Sequence, residues 1–329
     1  MPKWRLEGPS FDTGLRQAQP LLRMSGSVQS HQSPNRIEPH PPSDTSPYRR
    51  SGIPISPWRD KKMSMTDLPP FETILLERRG RLLLLTLNRP DALNAVNLTL
   101  HDELPEALLF AGSDSGSDVI LLTGAGRAFS AGGDLDHMEH NARHPELFDH
   151  EAEQAKRIVY ALLDIEKPVV CRMNGHAVGL GATIALLCDI VFAADTAKIG
   201  DPHVGIGLVA GDGGAVIWAQ RIGLAKAKEY LLTGELLSAT KAAEIGLINH
   251  ALPLEELDAA VDAFCAKLLS GATQAIRYTK MLTNIELKRI AHAVMEIGID
   301  YEVETVRTAD HLEGIAALRE KRKPHFTGR

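Results

Sequence analysis

Two glycine-bounded turns, each directly after an apolar run, carry the residue types best suited to chemistry in this chain. The first, GAGRAFSAGGD (124–134), follows VILLT (119–123). The second, NGHAVGLGAT (174–183), follows PVVCR (168–172) and runs into a helical pattern. Glycine lets a backbone turn sharply with its amides exposed. The first turn of a helix adds unpaired N–H groups and the positive end of the helix dipole. Two such turns facing each other would form a pocket with two N–H donors for an oxygen that becomes negative during a reaction. Other glycine-based sites fit less well. A Gly-Lys-Ser/Thr phosphate cradle does not occur, and a dinucleotide fingerprint is matched only loosely at Gly205-x-Gly207-x-x-Ala210, without a tight strand-turn-helix around it.

The elements that must position these turns follow from periodicity. Residues 71–78 and 81–87 read as two strands joined at Gly80, and 119–123, 168–172 and 189–194 as buried strands. Helical patterns lie between them at about 97–111, 146–165 and 181–188. Alternating strands and helices predict an α/β core. After Gly200 the pattern is mostly helical, at roughly 213–222, 225–233, 239–245, 254–270, 272–288, 290–308 and 311–321.

Charge and composition narrow the function classes. Residues 1–66 contain 10 Lys/Arg against 5 Asp/Glu and 10 of the 19 prolines, leaving 26 Lys/Arg against 37 Asp/Glu in residues 67–329. An acidic folded part disfavours nucleic acid, whose binding needs clustered cations. Residues 1–66 read as a disordered leader, or as a start called too early with the working chain beginning near Met63 or Met65. No apolar run approaches membrane-spanning length and mean hydropathy is −0.11. Three widely spaced cysteines, Cys171, Cys188 and Cys265, suggest a reducing compartment. The cytoplasm is expected, or the mitochondrial matrix if the leader is a presequence.

Five fragments in order, LNRPDALNAVN (87–97), GRAFSAGGDL (126–135), KPVVCRMNGHAVGLGATIALLCDIVFAAD (167–195), YLLTGELLSATKAAEIGLIN (230–249) and EGIAALREKRKPHF (313–326), resemble the crotonase (enoyl-CoA hydratase/isomerase) superfamily. The resemblance covers nearly all of residues 71–329. It implies an α/β fold with a ββα-repeat core, over 67–260, and a helical C-terminal trimerisation region, over 261–329. It also implies an acyl-CoA thioester substrate, no cofactor beyond the coenzyme A of that substrate, no metal, and a homotrimer or dimer of trimers. By matched motif positions, the amides of Gly133 and Leu180 would hold the thioester oxygen. Asn94 and Ala95 would lie along the coenzyme A, and the Ala131 carbonyl would meet the adenine. Asp134 reads as a helix cap. Lys321, Arg322 and Lys323 read either as phosphate neutralisers or as a solvated basic face.

The hydratase pattern breaks at its acid/base positions. Hydratases of this family use two glutamates, and the same matching puts Thr183 at one and His203 at the other. A threonine hydroxyl is no useful base near neutral pH, so Thr183 reads as a packing, hydrogen-bonding or substrate-lining residue. Histidine titrates near 6.5, which makes His203 a natural proton carrier, with Asp212 in GDGG (211–214) as its partner or as a helix cap. Asp201 reads as an exposed turn residue before Pro202, and His150 and His176 as surface or structural. His137, Glu139, His140 and His144 read as a mobile polar flap rather than a metal site. The expected function is an enolate-forming acyl-CoA enzyme, most simply an enoyl-CoA hydratase/isomerase. A hydrolase, a C–C lyase and a non-catalytic acyl-CoA-binding subunit remain alternatives. RNA binding is weakened by Asp102, Glu103 and Glu106 on a helix without lysine.

Overall fold

The computed structural model describes residues 67–329; the expected leader over 1–66 lies outside the described residues. Strands β1 (Ile74–Arg79) and β2 (Leu82–Leu87) form an antiparallel hairpin that turns at Gly80, whose φ is +61°. β2 then pairs in parallel with β3 (Val119–Gly124), followed by β4 (Val169–Met173), β6 (Ile190–Ala194) and β9 (His250–Leu252). β3 is buried at every position. A continuous apolar run of this kind suits a parallel strand covered on both faces, where alternation is lost. A second, three-stranded sheet joins β5 (Ala177–Val178), β7 (Lys198–Gly200) and β8 (Leu237–Ser238), and anchors the loop that enters the site.

Helices α1 (Leu98–Ser113) and α3 (Phe148–Asp164) pack against each other, α1 also touches β1, and α7 (Leu254–Leu269) packs across β3, β4 and β6. Asn97 caps α1 through its side chain, which accepts from the Leu100 amide. The remaining helices are α2 (Leu135–Arg143), α4 (Leu180–Leu187), α5 (Gly214–Thr233), α6 (Ala239–Glu244), α8 (Thr273–Val306) and α9 (Ala309–Glu320). The expected α/β architecture is therefore present, with helices dominating the C-terminal third.

Two expected boundaries shift. The helices read at 272–288 and 290–308 form one 34-residue helix, α8. No proline interrupts it, and its Gly298 lies against the backbone of Gly211, so the glycine serves close packing rather than termination. The division drawn between residues 260 and 261 falls inside α7. By contrast, the break read near 223–224 is real, because Gly223 has φ 76° and ψ 161° within α5.

Candidate active site

The two glycine turns meet backbone to backbone. Val178 donates its amide to the Ser130 carbonyl at 3.0 Å, and the Phe129 and Ser130 amides both approach the His176 carbonyl at 3.1 Å. At Gly132, φ is +87° and a Cβ would lie 2.7 Å from the Val178 carbonyl oxygen, so only glycine permits this approach. On the other side of the first turn, Val96 donates to Gly132 O at 2.7 Å and accepts from Asp134 N at 3.0 Å. Such a ladder leaves the intervening Gly133 amide facing the opposite way. Leu180 is the first residue of α4, where an amide has no partner in its own helix. Neither Gly133 N nor Leu180 N has an acceptor among the described residues, and both residues line a cavity of about 500 Å³.

Ala95 and Ala131 also line this cavity. Asn94, expected along the coenzyme A, is not among the residues that line the cavity. It is fully buried, accepts from Arg89 N at 2.8 Å and donates to the Ala125 and Ala128 carbonyls at 2.8 and 2.9 Å. Its hydrogen-bonding capacity is spent on holding the first turn in shape. Asp134 is the cap of α2, accepting from the Asp136 and His137 amides, and it also pairs with Arg89.

Acid/base groups converge on the same cavity from three elements. His203 opens a 3-10 turn (His203–Ile206), Asp212 precedes α5, and Glu302 projects from α8; all three line the wall. His203 Nδ1 bonds to Asp201 Oδ1, and His203 Nε2 lies 3.5 Å from Asp212 Oδ2. The ring is thus held between two carboxylates. Asp201, expected at an exposed turn, is instead 1% exposed. Its turn folds inward, and Gly214 packs so closely on it that a Cβ there would lie 2.0 Å from Asp201 Oδ2. Thr183, read as a packing, hydrogen-bonding or substrate-lining residue, stands behind the wall and takes the hydrogen-bonding role, donating to Asp212 Oδ1 at 3.4 Å. Glu302 was not anticipated, since it lies about a hundred residues from His203 on what reads as an ordinary amphipathic helix.

Burial governs the proton affinities. It disfavours the charged ring of His203, but Asp201 and Asp212 outweigh it and hold the imidazole well above its ordinary value. Burial raises Asp212, against a partly compensating pull from His203. It raises Glu302 well above the carboxylate range, and the negative charge of Asp212 adds to the effect. The cavity therefore presents an imidazole and two carboxyl groups that all hold their protons more tightly than they would in water. Asp201, His203 and Asp212 could also offer three ligand atoms to a metal within 4.8 Å of one another. Each ring nitrogen instead faces a carboxylate oxygen, as in an ion-paired proton relay.

The other candidates have structural roles. His176 is exposed and accepts from Lys198 N at 3.0 Å; His150 pairs with Asp102 at 2.6 Å. The segment read as a polar flap is helix α2, on which Glu139 pairs with Arg143 and Arg319 while His137 turns into the cavity. Arg322 is already engaged by Glu313 and Glu320.

Similarity to known proteins agrees with this geometry. The family model described as Enoyl-CoA hydratase/isomerase matches residues 77–329. The chain is 33% identical over 258 residues to crotonyl-CoA hydratase of Syntrophomonas wolfei, covering 78% of this chain and 98% of that one. It is 32% identical to 2,3-dehydroadipyl-CoA hydratase of Escherichia coli, covering 78% and 99%. Among solved structures, an enoyl-CoA hydratase/isomerase from Mycobacterium paratuberculosis superposes with a TM-score of 0.71 at 38% identity, covering 74% of this chain and 97% of that one. Paired unpartnered amides facing one cavity, on this fold and at this level of identity, make the chain a member of the enoyl-CoA hydratase/isomerase (crotonase) family, a crotonase-type enzyme of acyl-CoA thioesters.

Proposed function

We propose that this enzyme hydrates an enoyl-CoA, with the Gly133 and Leu180 amides holding the thioester oxygen and with carboxyl groups supplied by Asp212 and Glu302. The observation that carries this reading is that two buried carboxyls, both with raised proton affinity, line one cavity with two unpartnered amides. Thr183 and His203 occupy the positions where hydratases of the family keep glutamates. The two carboxyls come from other elements.

In this mechanism Asp212 takes a proton from water as the water oxygen bonds to the β-carbon. The π electrons move through the α-carbon onto the thioester oxygen, where the two fixed amides stabilise the enolate without having to reorganise. Glu302 then delivers its proton to the α-carbon, and the cycle closes when the proton held by Asp212 returns to Glu302. His203, fixed by Asp201, keeps a positive charge beside both carboxyls. Thr183 orients Asp212 from behind.

A double-bond shift is the second reading. It is favoured by the loss of both family glutamates, since moving one proton between two carbons needs only one base. Incubation of crotonyl-CoA and longer trans-2-enoyl-CoA thioesters in 18O-water separates the two. Labelled 3-hydroxyacyl-CoA is expected; unlabelled positional isomers alone would replace hydration by isomerisation. Tight binding without any product would favour the non-catalytic reading. The names of the relatives carry different acyl groups, so identity at this level leaves the acyl group to the cavity itself.

The assembly proposed is a homotrimer or a dimer of trimers. Tyr278, Leu282 and Ile285, 58%, 69% and 61% exposed, recur at i, i+4 and i+7 on α8. An apolar stripe of this spacing on one helix face suits a subunit contact. Sedimentation should return three or six times the chain mass, and Leu282→Glu should reduce it. A monomeric wild type would reject the assembly. No helix among the described residues is long and apolar enough to cross a membrane. The three cysteines are free and buried, which supports a reducing location such as the cytoplasm.

A further inference from the structure

The cavity has a second polar group that the proposed mechanism does not use. His101 from α1, His137 from α2 and Glu151 from α3 all line the wall. The same wall carries the apolar side chains of Phe148, Ala152, Ala155, Leu208 and Ile299. Three separate helices thus bring polar side chains to one cavity.

Two of these groups satisfy each other. His137 Nε2 lies 2.8 Å from Glu151 Oε1, and Asn141 donates to the same oxygen at 2.7 Å. His101 is different. It is 8% exposed, its Nδ1 is enclosed without a hydrogen-bond partner, and neither ring nitrogen bonds to a described residue. Buried polar groups are nearly always hydrogen-bonded, so an unpartnered imidazole on a cavity wall calls for a ligand group.

The charge balance selects the kind of group. His137 donates to Glu151, and this bond raises the affinity of His137 for its proton. Burial lowers His101 to about 4, and it stays neutral near pH 7. A carboxylate on the ligand would be set against the Glu151 oxygens, and an ammonium against the His137 N–H. A neutral imidazole has one donor and one acceptor nitrogen, which suits a hydroxyl or a carbonyl.

Ala152 and Ala155 of α3 line the cavity beside Glu151, and Val159, further along the same helix, packs at Gly213, next to Asp212. Glu151 is near enough to Glu302 for its charge to act there. Resting on the acyl-CoA reading above, we infer that His101 is a recognition residue for a neutral oxygen function, a hydroxyl or carbonyl, on the acyl chain, so that the preferred substrates are oxygen-functionalised acyl-CoA thioesters.

The test is equilibrium binding of saturated ligands to the full chain by calorimetry, which does not depend on the reaction catalysed. Hexanoyl-, octanoyl- and decanoyl-CoA are each compared with the ω-hydroxy and ω-carboxy compounds of the same length. In at least one set the ω-hydroxy compound is expected to bind roughly 10-fold or more tightly than its parent, with the ω-carboxy compound weaker than the ω-hydroxy one. In His101→Phe that preference should collapse to within about 2-fold, while coenzyme A alone reports that the variant is folded. Equal binding of hydroxylated and plain ligands in every set overturns the inference, and so does strongest binding of the ω-carboxy compounds. Hydration of crotonyl-CoA without a hydroxyl preference removes this inference alone. A hydroxyl preference without turnover leaves it standing and removes the hydratase reading.

Discussion

Leu180→Pro is expected to lower kcat by 10²- to 10³-fold, about 3 to 4 kcal/mol of transition-state stabilisation, with a much smaller change in KM. Proline removes one N–H and little else at this position. Leu180 is the first residue of α4, where proline is well tolerated because that amide has no helical acceptor. The preceding residue is Gly179, with φ 55° and ψ −126°, an extended left-handed conformation in which glycine accommodates a following proline ring. Leu180→Ala is the matching control, since it trims the same buried side chain and keeps the donor. It should retain most of kcat while losing a few kcal/mol of stability at most. If Leu180→Pro is folded by circular dichroism and as active as Leu180→Ala, the paired-amide mechanism is wrong.

The second large effect concerns Asp212. Asp212→Asn keeps the shape of the side chain but cannot take a proton from water, and should cost about 10²- to 10⁴-fold in kcat. Its pH dependence carries more information than its magnitude. The reaction needs Asp212 ionised, and burial has raised its proton affinity above the ordinary aspartate value of 3.8. Activity should therefore fall on the acid side at a pH above that of an unperturbed aspartate. It also needs the protonated acid and the imidazolium, both held well above their ordinary values of 4.5 and 6.5. The alkaline limb should accordingly lie above 6.5, giving a bell whose limbs belong to the coupled cluster rather than to single residues. In Asp212→Asn the acid limb should disappear from the residual kcat/KM profile. An unchanged acid limb would assign the base to another group. His203→Gln complements this test. It removes the cation between Asp201 and Asp212, so Asp212 should hold its proton to higher pH and the acid limb should move upward.

These expectations show how local and non-local information divide in this chain. The oxyanion turns were legible because their requirements are local. Gly132 must adopt a positive φ and let the Val178 carbonyl approach, and Leu180 must begin a helix directly after a glycine. Both demands leave a mark on neighbouring residue types, as do the buried strands and the helix caps Asn97 and Asp134.

His203 and Asp212 could be read from their motif positions, but the other buried carboxyls around them leave no such mark. Asp201 has the local context of a surface turn before proline, yet the packing of Gly214 and the ring of His203 enclose it. Asn94 lies in the motif expected along the coenzyme A, but the first turn consumes its hydrogen bonds. Glu302 and Glu151 belong to helices whose pattern is that of any partly buried helix, and only the docking of α8 and α3 brings them to one cavity. The amino-acid order alone settled the family, the succession of strands and helices, and the two amides, because backbone conformation is specified within a few residues. The tertiary structure alone decided that Asp201 and Glu302 join Asp212 around His203, and how tightly the carboxyls of the cavity hold their protons. That choice depends on desolvation and on charges brought together from distant segments, and neither quantity exists until the chain has packed.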